Sequence, residues 1–347
     1  MNRWFLALGG AVFLVIWLFT AGPLSNHRQV IRLAGDTMGT SYHITAIGSD
    51  LDEAALSEAV EQRLKAVNAS MSNWDPNSEV STFSASKQTD PVKMSDGLAA
   101  VMTAAAQINE QSEGRFDVTL GPLIDLWGFG PRKPGDPMPS EADIAAALQH
   151  VGQSRLLSID SSGATLAKSD PEVGINLSAI AKGYGVDAVA QVLQEAGVES
   201  YMVEIGGDLV TRGLNPDNEV WRIGVEKPSP GAHDVQLVVP VGDRGLATSG
   251  DYRNFFEADG VRYSHVLDAS TGRPITHLTT SVTVVADNAM LADGWATAML
   301  VLGQEAGLRI ADAHNLAVFF ISRDAVGPQG KYITAQSDAF TAVLNPE

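Results

Sequence analysis

Residues 173–187 read VGINLSAIAKGYGVD: the end of a strand, a short polar crossing, and the start of a helix that continues through AVAQVLQEAG. Asn176, Ser178 and Lys182 and the glycines Gly183 and Gly185 gather where an alternating pattern gives way to a helical one. A junction of this kind presents backbone N–H and C=O groups to a ligand. Small residues ahead of a helix equally suit a tight strand-to-helix packing joint. The rest of the chain decides between the two.

Working outward, the residues after Gly197 are mostly strand-like: SYMVEIGGDLVTRG, EVWRIGVEK, DVQLVVPVG, RGLATSG and RNFFEADGVRYSHV. The Asp-Gly of EADGVRY is a hairpin signal, and Gly206 and Gly207 stand where a side chain would obstruct something passing close to a strand. SVTVVA and LAVFFI read as inner strands, with the helical segments MLADGWATAMLVL and QEAGLRIADA between them. On the N-terminal side, VIRLAGDTMGTSYHITAIG reads as two strands broken by GDTMGT, and Leu56, Ala59, Val60, Leu64 and Val67 repeat at helical period. Ser95 or Asp96 caps a further helix, and Ser140 with Asp143 forms a capping arrangement ahead of EADIAAALQHVG. LLSID and ATLAK flank a DSSG turn. The polar loop MSNWDPNSEVSTFSAS carries Trp74 and Phe83, each placed either to plug the core edge or to meet a flat ligand. PRKPGDPMP reads as a surface excursion rather than a domain boundary. Sheets with helices segregated around them define an α+β class for one body spanning residues 28–347.

The 347 residues include 41 acidic against 23 basic side chains, a net charge of −18, and no cysteine. A nucleic-acid partner is therefore not expected, because no basic excess exists to displace counterions from phosphates. Thiolate nucleophiles, disulfides and Cys-ligated metals are excluded. A phosphate-bearing ligand would have to be held by local N–H groups, one or two cations or a bound metal. No charged side chain stands between Arg3 and Arg28, and residues 4–20, WFLALGGAVFLVIWLFT, exceed the roughly 7–15 residues of a signal h-region. Residues 1–27 are thus expected to be a membrane anchor or signal segment, with the body outside the cytoplasm.

Asp293 and Thr297, four apart in MLADGWATAML, put a carboxylate and a hydroxyl on one helical face. Both are oxygen ligands for a hard cation such as Mg2+; equally, they are a helix-start Asp and a Thr bonded to its own backbone. His265, in SHVLDASTGRP near Asp268, suits proton transfer or phosphate contact as well as a structural hydrogen bond. LATSGDYRNFF brings Ser249, Gly250 and Asp251 into one turn, where hydroxyls and glycine shape an anion nest that Asp251 opposes unless a metal or a nucleoside is its neighbour. No GxGxxG after an early strand, no GxxxxGK[ST], no GxSxG and no HExxH occurs.

With MGT at residues 38–40, MSNWDPNSEVSTF, FDVTLGPLIDLWGFG, INLSAIAKGYGVD, EIGGDL, ATSGDYRNFF, SHVLDASTGRP and ADGWATAM in order, the chain resembles the FAD:protein FMN transferases, the ApbE flavin transferase family, from Arg32 to Ile321. The resemblance implies a single T-fold-like α+β catalytic domain. It also implies Mg2+-dependent cleavage of FAD as substrate, with FMN passed to a Thr or Ser hydroxyl of a partner protein and AMP released. The implied acceptors are flavoprotein subunits of membrane redox complexes of Nqr or Rnf type, or periplasmic flavoproteins, at the bacterial inner membrane. It places Met38 beside the flavin, makes Trp74 the stacking aromatic, and makes residues 176–187, with Asn176, Ser178, Lys182 and Asp187, one wall of the site. The Ala179 carbonyl, Asp293 and Thr297 become the metal ligands, and Gly206, Gly207, Asp208, Ser249, Gly250, Asp251, His265 and Asp268 complete the nucleotide site. His265, Asp251 and Asp268 are the implied candidates for the base that deprotonates the acceptor. Ala179 stands where the family often has glycine and Ala269 where it often has proline, and the N-terminal lipid-bearing cysteine of many members is absent, so attachment is expected to come from residues 4–20 or not to exist. A water-using FAD pyrophosphatase and a non-catalytic FAD-binding protein are the alternative expectations.

Overall fold

An antiparallel hairpin opens the described residues, and its two-residue turn is Met38–Gly39, with φ of 51° and 76°. The computed structural model describes residues 28–129, 138–228, 234–251, 255–258, 261–326 and 331–345. The expected anchor of residues 4–20 and most of PRKPGDPMP lie outside the described residues. Among the described residues no helix is long and apolar enough to cross a membrane.

In chain order the hairpin strands β1 (Gln29–Thr37) and β2 (Thr40–Gly48) lead to helices α1 (Glu53–Met71) and α2 (Glu79–Ala85), strand β3 (Val92–Lys93) and helix α3 (Asp96–Gln111). Helices α4 (Gly121–Trp127), α5 (Glu141–Leu148) and α6 (Gln153–Leu156) precede β4 (Leu157–Asp160) and β5 (Thr165–Lys168). Helix α7 (Ala181–Glu195) is followed by β6 (Ser200–Ile205), β7 (Asp208–Arg212), β8 (Arg222–Glu226), β9 (Val235–Pro240) and β10 (Gly245–Gly250). Then come β11 (Phe255–Ala258), β12 (Val261–Ser264), β13 (Leu267–Asp268), β14 (Arg273–Pro274) and β15 (Thr279–Ala286). Helix α8 (Ala289–Ala313), β16 (Ala317–Arg323), β17 (Tyr332–Gln336) and α9 (Asp338–Leu344) complete the chain. The principal sheet runs β1-β2-β6-β7-β10-β15-β16-β17, and every neighbouring pair in it is antiparallel. The α+β expectation holds.

Helix starts follow the sequence. Asp52 accepts the Ala55 N–H at 3.1 Å ahead of α1, Ser95 accepts that of Leu98 ahead of α3, and Ser140 and Asp143 form a reciprocal capping box on α5. The two helical segments expected after β15 are one element, α8, interrupted at Gly303 (φ 74°, ψ 172°). The His277 ring stands 2.8 Å from where a Cβ on Gly303 would lie, so both the backbone angle and the space require glycine.

Helices α7 and α8 pack on the sheet and on each other. Leu98, Met102, Ile108, Leu177, Ile180, Ala296 and Phe320 share one core cluster there, and Val186, Val189, Leu193, Val203 and Ile205 share a second with α1 and the β1–β2 hairpin. Each such fully buried Val, Leu, Ile, Met or Phe side chain contributes roughly 1.5–3 kcal/mol. Of the two aromatics in the polar loop, Phe83 is buried against the first cluster, whereas Trp74 is 83% exposed. Burial therefore settles which of them plugs the core.

Candidate active site

The stretch expected to end a strand is extended but pairs with no sheet. Val173, Ile175 and Leu177 are buried while Gly174, Asn176 and Ser178 face away, so the alternation is real. The partners of its backbone come mostly from side chains. The Lys168 ammonium donates to Val173 O at 3.0 Å and to Phe83 O and Ser84 O at 3.1 Å. Ser84 Oγ accepts the Ile175 N–H, Asn73 Nδ2 donates to Ile175 O, and Asn73 Oδ1 accepts the Leu177 N–H. Asn176 N–H donates to Val118 O, and the Asn176 carboxamide oxygen accepts from Ser178 N–H and Oγ–H. Buried backbone groups need partners, and where a ladder is missing these polar side chains supply them. The Ala179 peptide lies in the turn that ends this stretch, two residues before α7.

Helix α7 has no cap from its own flanking residues. Its cap comes from α8: Asp293, 3% exposed, accepts the Gly183 N–H at 2.9 Å. The exchange is reciprocal, since Asp187 of α7 accepts the N–H groups of Ala289 and Met290 at 2.9 and 2.8 Å in the first turn of α8. Each carboxylate sits at the positive end of the other helix. The crossing is close enough that a Cβ on Gly183 would stand 2.3 Å from Ala289 O. The packing reading of the joint is thus borne out at Gly183, where the two helices touch through backbone.

Lys182 reaches from the first turn of α7 between two acids. It is ion-paired to Asp208 and its Nζ lies 3.9 Å from Asp293 Oδ1. Burial works against the Lys182 charge, but Asp293 and Asp208 outweigh it and hold the ammonium above its ordinary pKa. Burial, reinforced by Asp293 and opposed by Lys182, pushes the Asp208 carboxyl well above the carboxylate range. Asp208 is delivered by the Gly206–Gly207 turn between β6 and β7, with φ of 58° and 97°. Glu204 fixes that turn by accepting the Gly207 N–H while its other oxygen contacts His43 Nδ1 at 2.9 Å.

One helical turn beyond Asp293, Thr297 Oγ1 lies 3.2 Å from Ser249 Oγ on β10. Gly250 ends that strand and Asp251, 4% exposed, follows it, held by the Arg323 guanidinium at 3.0 and 3.2 Å. Met38 keeps a left-handed backbone angle that non-glycine residues seldom adopt, and its sulfur stands 3.0 Å from where a Cβ on Gly185 would lie. Asp268 is ion-paired to Arg115 at 2.6 Å and accepts from Ser270, and His265 meets the Phe129 ring edge-on. The structure therefore gathers Lys182, Gly183, Asp208, Asp293, Thr297 and Ser249 directly. Asp187 serves the helix crossing, and Trp74 stands exposed on the loop that Asn73 ties to residues 175–177.

Asp293, Thr297 and a peptide carbonyl are oxygen donors of the kind Mg2+ takes. Among the described residues no group of three or more His, Cys, Asp or Glu side chains forms a metal site. A cation here would rely on one carboxylate supplemented by neutral oxygens, and the donors present fit Mg2+ in kind.

Sequence reasoning missed Asn73, Ser84, Lys168 and Arg323. Only Lys168 carried a signal, since the alternation of ATLAK puts it on the same face as buried Leu166. Burial pulls the Lys168 pKa down.

Burial raises the Asp187 carboxyl from 3.8 to about 6, with a further push from Asp293 and opposition from its two backbone hydrogen bonds. A carboxyl raised on folding favours the folded state most when protonated, so its contribution is lost as pH rises from about 4 to about 6. Asp187→Asn should remove that part of the pH dependence. Thermal melts of metal-free protein across this window should show the melting-temperature difference, variant minus parent, rising with pH; a constant difference counts against the shift.

The fold is a mixed α+β domain whose main antiparallel sheet carries this helix-capped acid–lysine cluster. The chain belongs to the ApbE family, whose model matches residues 38–320. It is 43% identical over 323 residues to the FAD:protein FMN transferase of Vibrio cholerae serotype O1, covering 92% of this chain and 94% of that protein. It is 40% identical over 339 residues to the Haemophilus influenzae protein of the same name, covering 95% and 96%. The structure of the flavin transferase ApbE from Vibrio cholerae matches with a TM-score of 0.83 at 41% identity, covering 91% of this chain and 100% of that one. The apo form of Pseudomonas stutzeri flavinyl transferase ApbE matches with a TM-score of 0.82 at 38% identity, covering 92% and 98%.

Proposed function

We propose that this chain transfers FMN from FAD to a Ser or Thr hydroxyl of an acceptor protein in a Mg2+-dependent reaction, forming a phosphoester and releasing AMP. Membership of the ApbE family supports the reaction class. The observation that carries the finer reading is Asp293, a buried carboxylate at the N-terminus of α7, one turn from Thr297 and beside Lys182. Asp293, Thr297 and the Ala179 carbonyl would hold the cation, which when bound offsets anionic repulsion and polarises the diphosphate.

The remaining steps belong to the chain's own side chains. Lys182, kept charged by its two acids, supplies a fixed positive group for a diphosphate oxygen, a local source of charge in a protein of net −18. Asn176, Ser178, Gly206, Gly207, Ser249 and Gly250 line the nucleotide path with hydroxyls and peptide groups. Met38 packs near the flavin, and Trp74 offers its indole face to the isoalloxazine. Asp251, Asp268 and His265 are the three candidate bases. We assign the acceptor proton to His265, imidazole being the group best matched to proton transfer near neutral pH. Acceptors are flavoprotein subunits of membrane redox complexes of Nqr or Rnf type or periplasmic flavoproteins, with residues 4–20 holding the catalytic body at the periplasmic face of the inner membrane.

Mass spectrometry of a candidate acceptor fragment incubated with the protein, FAD and Mg2+ tests the reading. The expected product carries FMN on Ser or Thr, with an equal amount of AMP. Free FMN plus AMP with an unmodified acceptor would make the protein a pyrophosphatase, and FAD recovered intact would make it a binding protein.

A further inference from the structure

We propose that Asn73 is a positioning residue for the flavin: its side-chain amide locks the Trp74 loop onto residues 175–177 and thereby sets where the indole stands. The inference rests on the assignment of Trp74 as the stacking aromatic.

Trp74 is 83% exposed, so burial of its own ring does little to orient it. Its position is inherited from the backbone on either side. The loop is stapled to itself around Ser72, whose Oγ accepts the N–H groups of Trp74 and Asp75 at 3.2 Å and whose carbonyl accepts from Ser78 Oγ and Ser81 Oγ at 2.6 and 3.1 Å. Those bonds fix the shape of the loop. Its direct tie to the wall of the site is Asn73, which donates to Ile175 O at 2.6 Å and accepts the Leu177 N–H at 2.9 Å.

The chemistry of the clamp is specific. Residues 175 and 177 present a carbonyl and an N–H on one side, the pair that a neighbouring strand would satisfy with its own peptide groups. A primary carboxamide offers the matching donor and acceptor side by side, and the two partners fix which end is which, because a peptide N–H only donates and a peptide oxygen only accepts. Alanine lacks both groups, and aspartate presents an oxygen to Ile175 O in place of the donor. Ile175 and Leu177 are 3% and 0% exposed, so this wall is anchored in the core. Asn73 passes that anchorage to the exposed indole next to it in the chain.

The test is FAD binding by flavin fluorescence without divalent cation, in the parent, Asn73→Ala, Trp74→Ala and the double variant. Each single variant should weaken FAD binding about tenfold, and the double variant should be little weaker than the weaker single one, because both changes remove the same contact. In the acceptor assay Asn73→Ala should raise KM for FAD while leaving kcat within about threefold, the pattern of lost ground-state binding. Parent-like affinity in Asn73→Ala beside a weakened Trp74→Ala overturns the clamp and leaves the stacking assignment standing. Effects that multiply in the double variant also overturn it. Parent-like affinity in Trp74→Ala removes the stacking assignment and the clamp together. Should Asn73→Ala not fold, Asn73→Asp provides the same comparison, and failure of both to fold overturns positioning in favour of a purely structural role.

Discussion

Asp293→Ala should abolish FMN transfer, with a loss on the order of a thousandfold or more. Two consequences of the change must be separated. Removing the carboxylate takes away the charged oxygen expected to face the cation and leaves Lys182 paired to Asp208 alone. It also leaves the Gly183 N–H without its acceptor, a buried donor whose loss of partner costs about 1–3 kcal/mol of stability. Asp293→Asn distinguishes the two, because a carboxamide oxygen can still accept from Gly183 while the charge is gone. It should melt within a few degrees of the parent and still fail to label an acceptor in single-turnover mass spectrometry. Full transfer by either variant would sink the metal assignment; activity retained only in the Asn variant would show that Asp293 acts through the helix cap.

Gly183→Ala should be the most damaging single change to the fold among the glycines of the site. Its added Cβ would stand 2.3 Å from Ala289 O and 2.7 Å from Ala289 C and Met290 Cα, all backbone atoms of the facing helix. A flexible side chain could swing aside, but here α8 itself must move. Moving it stretches both reciprocal caps, Asp293 on Gly183 and Asp187 on Ala289 and Met290. Overpacking of this kind costs about 3 kcal/mol, which in a chain of 347 residues lowers the melting temperature by roughly 4–5 °C. Gly121→Ala is the control, since its Cβ would meet only Gly174 O at 3.9 Å. Equal melting temperatures for the two variants would show that α7 and α8 have room to separate.

The elements that the chain announces are those governed by local rules. The caps at Ser95 and at Ser140 with Asp143 form where the residue types predict them, and β1, β2, β6, β7, β10, β15 and β16 fall on the strand-like runs. Residues 173–178 are the instructive exception. Their alternation is genuine, yet they pair with no strand; Asn73 and Ser84, distant in sequence, and Lys168, five residues before Val173, supply the partners that a ladder would. A period of two reports which side chains face the core; it says nothing about what the backbone bonds to.

The site divides along the same line. Residue chemistry alone marked Asp293, Thr297, Lys182 and Ser249 as candidates with structural alternatives, and the resemblance of the ordered motifs turned them, with Asp208, into one expected site. That Asp187 caps α8, that Lys182 sits between Asp208 and Asp293, and that Arg323 holds Asp251 came only with the fold. Local periodicity by itself determined the α+β class, while the family and the set of candidate groups came from the resemblance carried by the ordered motifs. Tertiary structure alone decided the partners, because which N–H groups Asp293 and Asp187 meet depends on how two helices more than a hundred residues apart cross at Gly183, and which guanidinium meets Asp251 depends on the sheet that brings Arg323 beside it.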